Sequence, residues 1–148
     1  MARPVEYDNL VRTGALKDAV SSPDSMAQFI RNAEQMLAAA QLGLPEAPRF
    51  ALGYEGMFEV VMAVLEYYES RPGDSGGHRA TAIQRVAADL QLGASQISVL
   101  ARLHDTRNRV TYRQPIPPVT KADADADAML SILQHILSAA KELMRPSI

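Results

Sequence analysis

Hydrophobic residues recur at intervals of three and four along most of this chain, which is the spacing of amphipathic helices. No segment shows the two-residue alternation that is typical of a half-buried strand. Turn-forming segments rich in glycine and proline separate the periodic stretches. The pattern predicts five helices, which span 23 to about 40, about 47 to 70, 78 to about 91, the stretch from a cap at Ser95 to Thr111 or Tyr112, and the stretch that follows Thr120.

Local signals mark two of the predicted helix starts independently of the periodicity. Ser22 is followed by Pro23 and Asp24, so a serine cap, a proline at the first helical position and an acid near the positive end of the helix dipole coincide. Thr120 and Asp123 resemble a capping box at the start of the last helix.

The chain length is that of one domain, and short links join the helices. We therefore expect an all-α, up-and-down bundle of about five helices in a single domain over residues 1–148. Residues 1–22 form an N-terminal extension with a short turn of helix around Tyr7 to Arg12. Residues 113–119 are rich in proline and predict an extended link before the last helix.

The second and last helices carry apolar faces that are wider than a bundle of this size covers. An isologous homodimer is the simplest way to bury the remainder, so a homodimer is predicted. Gly53 and Gly56 lie on the second helix, where they leave room for a neighbouring helix to approach closely. Packing is favoured over ligand binding for both glycines.

The composition excludes several classes of chemistry. The chain has no cysteine, which excludes disulfides, thiolate catalysis and Cys-based metal sites. Gly-rich phosphate loops, dinucleotide fingerprints and HExxH motifs are absent from the sequence, and the acids of the DADADADA segment spread around their helix, so neither a cofactor nor a metal is expected. No apolar stretch reaches membrane-spanning length and the first ten residues lack the core of a signal peptide, so we expect a cytoplasmic protein without membrane contact.

The main candidate for function is a basic cluster on the fourth helix, the segment ARLHDTRNRVTYR from Ala101 to Arg113. At about 100° per residue, Arg107 falls on the same face as Leu100, Leu103 and Val110. An arginine within an apolar stripe is costly unless a partner pairs with it. The pattern therefore predicts that Arg107 pairs with a bound anion or with an acid of the protein itself.

Polar side chains line up beside this arginine. His104, Asn108 and Tyr112 follow one another at four-residue spacing on the neighbouring face. Three further arginines raise the local positive charge, with Asp105 as the only acid of the segment: Arg102, Arg109 and Arg113. Such a cluster in a chain of net charge −2 predicts a local site for an anion such as a phosphate. A structural arginine that ties a carboxylate or loop carbonyls at a helix seam is the alternative.

The helical pattern, together with Arg107-Asn108 near the end of the fourth helix, resembles the HEPN superfamily of small prokaryotic helical proteins. Its ribonucleases carry an arginine, a polar residue and, four to six positions further along the motif, a histidine. Tyr112 stands in the place of that histidine here, so the chain is more similar to a subgroup with the pattern RN-x3-Y. Further similar segments are YDNLVRTGALK, RFALGYEGMF and GHRATAIQ.

The resemblance implies two kinds of function. HEPN proteins act as RNase toxins in toxin–antitoxin and phage-defence systems, or as non-catalytic helpers of nucleotidyltransferases. In the catalytic members the histidine handles protons and the arginine stabilises charge on the scissile phosphate. Tyr112, with an ordinary pKa of about 10, is a poor base at neutral pH, and His104 replaces it only if the helix turns that side chain toward Arg107.

Three functions therefore stand side by side. The favoured one is a non-catalytic, homodimeric module that binds nucleotide, RNA or a partner protein through Arg107, Asn108 and Tyr112, with His104 and Arg102 contributing. The first alternative is a metal-independent ribonuclease that uses Arg107 with His104 or Tyr112. The second is a purely structural helical interaction protein. The enzyme is the least favoured of the three.

Overall fold

The computed structural model describes residues 3–74, 77–111 and 122–145 of the chain. These residues fold into six helices and one small sheet, which confirms the predicted all-α helical bundle. The helices are α1 Val5–Arg12, α2 Pro23–Ala40, α3 Glu46–Tyr67, α4 His78–Asp89, α5 Ala94–Thr111 and α6 Ala122–Leu143. Two three-residue strands, β1 Leu16–Asp18 and β2 Ser70–Pro72, form the antiparallel sheet.

The start of α2 follows the capping signal in the sequence. The Ser22 hydroxyl accepts a hydrogen bond from the Ser25 amide at 3.2 Å, and Pro23 occupies the first helical position. An N-cap of this kind satisfies one of the amides that have no partner within the helix. The serine cap and proline predicted here are confirmed.

The start of α5 differs from the prediction. The helix begins at Ala94, so Ser95 lies inside it and the prediction of a Ser95 cap is wrong. Gly93 precedes the helix, and its amide donates to the side-chain oxygen of Gln96 at 3.1 Å. A glutamine at the third helical position that reaches back to the cap amide is one half of a capping box, which explains why no serine is needed there.

Helix α3 lies at the centre of the bundle. Helices α2 and α6 pack along it, and α4 and α5 contact it and each other. Its buried positions spread around most of its circumference, as expected for a helix with neighbours on several sides. They are Gly53, Tyr54, Gly56, Met57, Val60, Val61, Ala63, Val64 and Leu65.

Two glycines allow α3 and α6 to approach closely. A Cβ atom added at Gly56 would lie 2.8 Å from Cδ2 of Leu133, and one added at Gly53 would lie 3.0 Å from Cγ of Met129. Real Cβ atoms essentially never lie as close as 2.8 Å to such a neighbouring atom. The packing role predicted for both glycines is therefore confirmed.

The apolar faces of α3 and α6 are used within the single chain. Among the residues that the structure describes, the exposed large hydrophobic side chains are Val5, Val20, Leu42 and Val110, and none of these lies on α3 or α6. The expectation of an apolar surplus on these two helices is wrong, because α3 has neighbours on several sides and α6 covers one of its faces. The homodimer stays a prediction, and this argument for it is lost.

Residues 3–22, which belong to the segment that the pattern assigned to an extension, are tied into the core. Tyr7 on α1 is fully buried and its hydroxyl donates to the Asp89 carboxylate at the end of α4, at 2.7 Å. Arg3 donates to the carbonyl oxygens of Tyr68 and Glu69 after α3. Strand β1 pairs with strand β2, which begins directly after Glu69. Strands of three residues are too short to show an alternating pattern in the sequence.

The acidic segment at the start of α6 is used for ion pairs. Asp125 pairs with Arg102 at 2.8 Å, and Asp127 pairs with Arg49. Over the described ranges, no group of three or more His, Asp or Glu side chains is arranged to hold a metal ion. The proline-rich link at 113–119, Thr120 and the side chain of Asp123 lie outside the described residues.

None of the helices in the described part of the chain has the length and apolar character needed to cross a membrane.

The close approach of α3 and α6 makes a testable prediction. Gly56→Val should lower the free energy of unfolding by about 1–3 kcal/mol, because the added methyl groups collide with Leu133. The measurement is urea unfolding followed by circular dichroism. Ala51→Val is the matched control, since Ala51 is exposed on the same helix.

Helix propensity alone predicts the opposite order of stability for the two variants, because valine is a better helix former than glycine and a poorer one than alanine. A Gly56→Val protein at least as stable as Ala51→Val would therefore contradict the close packing of the two helices.

Candidate functional site

The arginine-bearing face of α5 leaves the core at Leu103. Leu100 and Leu103 are buried, whereas Val110 is 56% exposed. The Arg107 side chain is 22% exposed, so it lies at the edge of the apolar stripe and not in its middle as the spacing predicted. The correction matters because an arginine at the edge is partly desolvated and still within reach of a ligand.

His104 and Asn108 lie side by side on α5, as their four-residue spacing predicts. Asn108 Nδ2 lies 3.2 Å from His104 Nε2. The other ring nitrogen, Nδ1, lies 2.9 Å from the hydroxyl of Tyr54, a fully buried residue of α3. The two rings are also stacked, with centroids 6.0 Å apart. Tyr54 therefore joins the predicted polar face of α5 to the centre of the bundle.

The hydrogen bonds fix the protons of this group. Asn108 Nδ2 can only donate, so His104 Nε2 accepts and carries no proton. The ring proton is then on Nδ1, which donates to the Tyr54 oxygen. The Asn108 carbonyl oxygen, at the opposite end of the amide, accepts from Arg107 Nη1 at 3.3 Å. This network assigns a neutral imidazole with the proton on Nδ1.

Arg107 has three weak contacts. Its Nη2 lies 3.4 Å from Glu55 Oε1, and its Nη1 lies 3.3 Å from the Asn108 oxygen. Both distances exceed the roughly 2.7–2.9 Å that is usual for a charge-assisted hydrogen bond. The guanidinium carbon also lies 4.9 Å from the centroid of the Tyr54 ring, within the range of a cation–π contact. The Glu55 side chain is 45% exposed, so the pair is not a closed internal salt bridge.

A second guanidinium reaches the same place from α4. The Arg79 carbon lies 3.9 Å from the centroid of the Phe58 ring and 5.9 Å from that of Tyr54. Its Nη1 is buried and has no hydrogen-bond partner among the described residues. Sequence reasoning missed this residue, because no spacing relates Arg79 to Arg107 and only the fold brings α4 beside α5.

Six side chains thus form what we call the Tyr54 cluster. They are Tyr54, Glu55, Arg79, His104, Arg107 and Asn108. Burial lowers the pKa of His104, and the positive charges of Arg107 and Arg79 lower it further, while Asp105 opposes them. Burial also raises the pKa of Tyr54, against the effect of the same two arginines. Both rings are therefore neutral near pH 7.

The cluster has an excess of positive charge. Its two guanidinium groups face one carboxylate, that of Glu55, and the neutral imidazole adds no charge. The nearby Asp105 is bound by Arg109 at 3.2 Å, so these two charges balance each other. A partly buried group of this kind attracts an anion.

The remaining predicted site residues lie elsewhere. Arg102 pairs with Asp125 of α6, whose side chain is only 8% exposed, and it takes no part in the contacts of the Tyr54 cluster. Tyr112 lies outside the described residues. Of the residues predicted for the site, the fold brings together Arg107, Asn108 and His104, and it adds Tyr54, Glu55 and Arg79.

No protein-family model, curated protein or solved structure matches this chain.

The surroundings of His104 predict a pH dependence. Its pKa lies below the ordinary value of about 6.5 in the folded protein, so the unfolded chain binds more protons as pH falls through that range. Stability should therefore decrease as pH falls below about 6.5 and level off below the folded pKa. NMR titration of the imidazole signals measures the pKa directly, and Arg107→Gln should raise it toward the ordinary value.

Two variants separate this effect from the rest of the chain. His104→Gln should flatten the stability profile between pH 7 and 5, whereas His135→Gln, at an exposed position of α6, should not. A His104 pKa above the ordinary value, or one that Arg107→Gln leaves unchanged, would contradict the electrostatic account of the cluster.

Proposed function

We propose that the chain is a HEPN-like module that binds the phosphate of a nucleotide or RNA at Arg107, with Asn108 and His104 beside it, and that it does not cleave the bound molecule. The resemblance to the RN-x3-Y pattern and the all-α bundle support this proposal. A partner protein and a toxin–antitoxin or defence context belong to it on the strength of the resemblance, and the homodimer stays a prediction from the sequence.

The observation that carries the proposal is the incomplete pairing of Arg107. An arginine that serves structure alone is expected to make several bonds with short ion pairs among them, as Arg3 does with Asp8 and Asp18, both at 2.7 Å, besides its bonds to two carbonyl oxygens. Arg107 makes two long ones, and its carboxylate partner Glu55 is nearly half exposed. A planar guanidinium with spare donors matches the geometry of a phosphate group.

One observation favours a ribonuclease function. His104 is neutral and lies in the same cluster as Arg107, so a base of suitable protonation state is close to the arginine. Both ring nitrogens are already hydrogen-bonded, however, one to Tyr54 and one to Asn108. To take a proton from a substrate, Nε2 would first have to lose its hydrogen bond from Asn108, which favours binding over catalysis.

Binding is tested with Arg107→Gln. We expect this variant to bind a labelled single-stranded RNA about tenfold more weakly than the wild type, because it loses a charge-assisted contact to phosphate. Fluorescence anisotropy measures the affinity, and the control is Arg12→Gln, at an exposed arginine of α1 that takes no part in the contacts of the Tyr54 cluster. Stability should change by no more than about 1 kcal/mol, since the Glu55 pair is partly exposed.

A different result would favour the structural alternative. Loss of about 3–5 kcal/mol of stability in Arg107→Gln, with no RNA binding by the wild type, is what a closed structural ion pair would give.

Cleavage is tested separately. We expect the purified protein to leave single-stranded RNA intact in the absence of divalent metal, since Tyr112 stands where the ribonucleases of the resembled family have a histidine. Wild type, Arg107→Ala, His104→Ala and Tyr112→His are compared by gel electrophoresis of labelled RNA. Robust wild-type cleavage that disappears in both Arg107→Ala and His104→Ala would establish the ribonuclease instead.

A further inference from the structure

We infer that Arg79 and Arg107 together form a two-arginine site for a terminal phosphomonoester, such as the 5′-phosphate of a mononucleotide or of an RNA end. This inference rests on the proposed function and adds to it a second binding residue and a class of ligand. No sequence motif or resemblance assigns Arg79 to the site.

Both guanidinium groups are held around one ring. Their central carbons lie 5.9 Å and 4.9 Å from the centroid of the buried Tyr54 ring, one reaching it from α4 and the other from α5. Both charges also act on His104, which is bonded to the Tyr54 hydroxyl. Two positive charges are thus brought together at the edge of the core.

The two arginines have spare hydrogen-bonding capacity. Within the described residues, Arg79 makes no salt bridge, and its buried Nη1 has no partner. The Arg79 guanidinium carbon lies 3.9 Å from the centroid of the Phe58 ring, and a hydrogen bond from the same guanidinium lowers the pKa of Tyr54 against the effect of burial. Arg107 makes two long bonds, and one of them is to the half-exposed Glu55 carboxylate. A ligand oxygen that reached Nη1 of Arg79 and the Arg107 guanidinium would use the spare donors of both.

The charge of the site selects between classes of phosphate. An internal phosphodiester carries one negative charge, which a single arginine can match. A phosphomonoester carries about −1.5 to −2 near pH 7 and offers three acceptor oxygens. Two guanidinium groups match the phosphomonoester in charge and in number of donors, and the carboxylate that competes with it, that of Glu55, is half exposed.

The experiment compares ligands that differ only in the terminal phosphate. A short single-stranded RNA is prepared with a 5′-phosphate or a 5′-hydroxyl, and AMP is paired with adenosine. Affinities for these ligands and for inorganic phosphate are measured by fluorescence anisotropy and calorimetry for the wild type, Arg79→Gln, Arg107→Gln and the control Arg12→Gln. AMP binding as tight as that of the phosphorylated RNA identifies a mononucleotide ligand, and tighter binding of the RNA identifies an RNA end.

We expect the wild type and Arg12→Gln to prefer the phosphorylated ligands by about tenfold or more, and Arg79→Gln to lose that preference. Arg79→Lys keeps the charge but not the planar pair of donors, so its preference should be reduced. Because it also retains a long side chain over Phe58, it tests the inference even if Arg79→Gln does not fold.

The inference is overturned if the wild type binds phosphorylated and unphosphorylated ligands equally, or if the preference survives undiminished in Arg79→Gln and Arg79→Lys. If Arg107→Gln still weakens RNA binding in that case, the proposed function stands and only the role of Arg79 fails. Absence of binding to either RNA, to AMP and to inorganic phosphate would reject both.

Discussion

The contact between α3 and α6 is the constraint on which the candidate site depends. Gly53 and Gly56 face α6, whereas Tyr54 and Phe58 lie on the other side of α3, at about 100° per residue. Larger side chains at the glycines would displace α3 toward α4 and α5. The Tyr54 cluster joins α3, α4 and α5. The distances between its side chains therefore depend on how closely α3 packs against α6.

The Tyr54 cluster shows how two arginines can share one place at the edge of a core. Each guanidinium lies over an aromatic ring, Arg79 over Phe58 and Arg107 over Tyr54, and both remain partly exposed. His104, on which both charges act, is neutral, which avoids a third positive charge. Aromatic faces thus take over part of the stabilisation that carboxylates would otherwise provide.

The sequence predicts the helices well because helical periodicity, serine caps and glycine or proline breaks act over a few residues. The cap at Ser22 and the alignment of His104 with Asn108 are of this kind. Contacts between helices are different, since Tyr54 is 50 residues from His104 and the link depends on packing. For the same reason, neither the two-stranded sheet nor the place of Arg79 beside Arg107 could be predicted. The wide apolar face of α3 indicated a central helix and not a dimer surface.

Asn108 makes the Arg107 contact depend on the protonation of a different residue. Its amide has one donating and one accepting end, and the donating end faces His104 only while Nε2 lacks a proton. A proton on Nε2 requires an acceptor, so the amide would have to turn and present its NH2 group to Arg107 in place of its oxygen. The protonation of His104 therefore determines whether the Asn108 amide accepts a hydrogen bond from Arg107 or turns its own N–H donors toward that guanidinium.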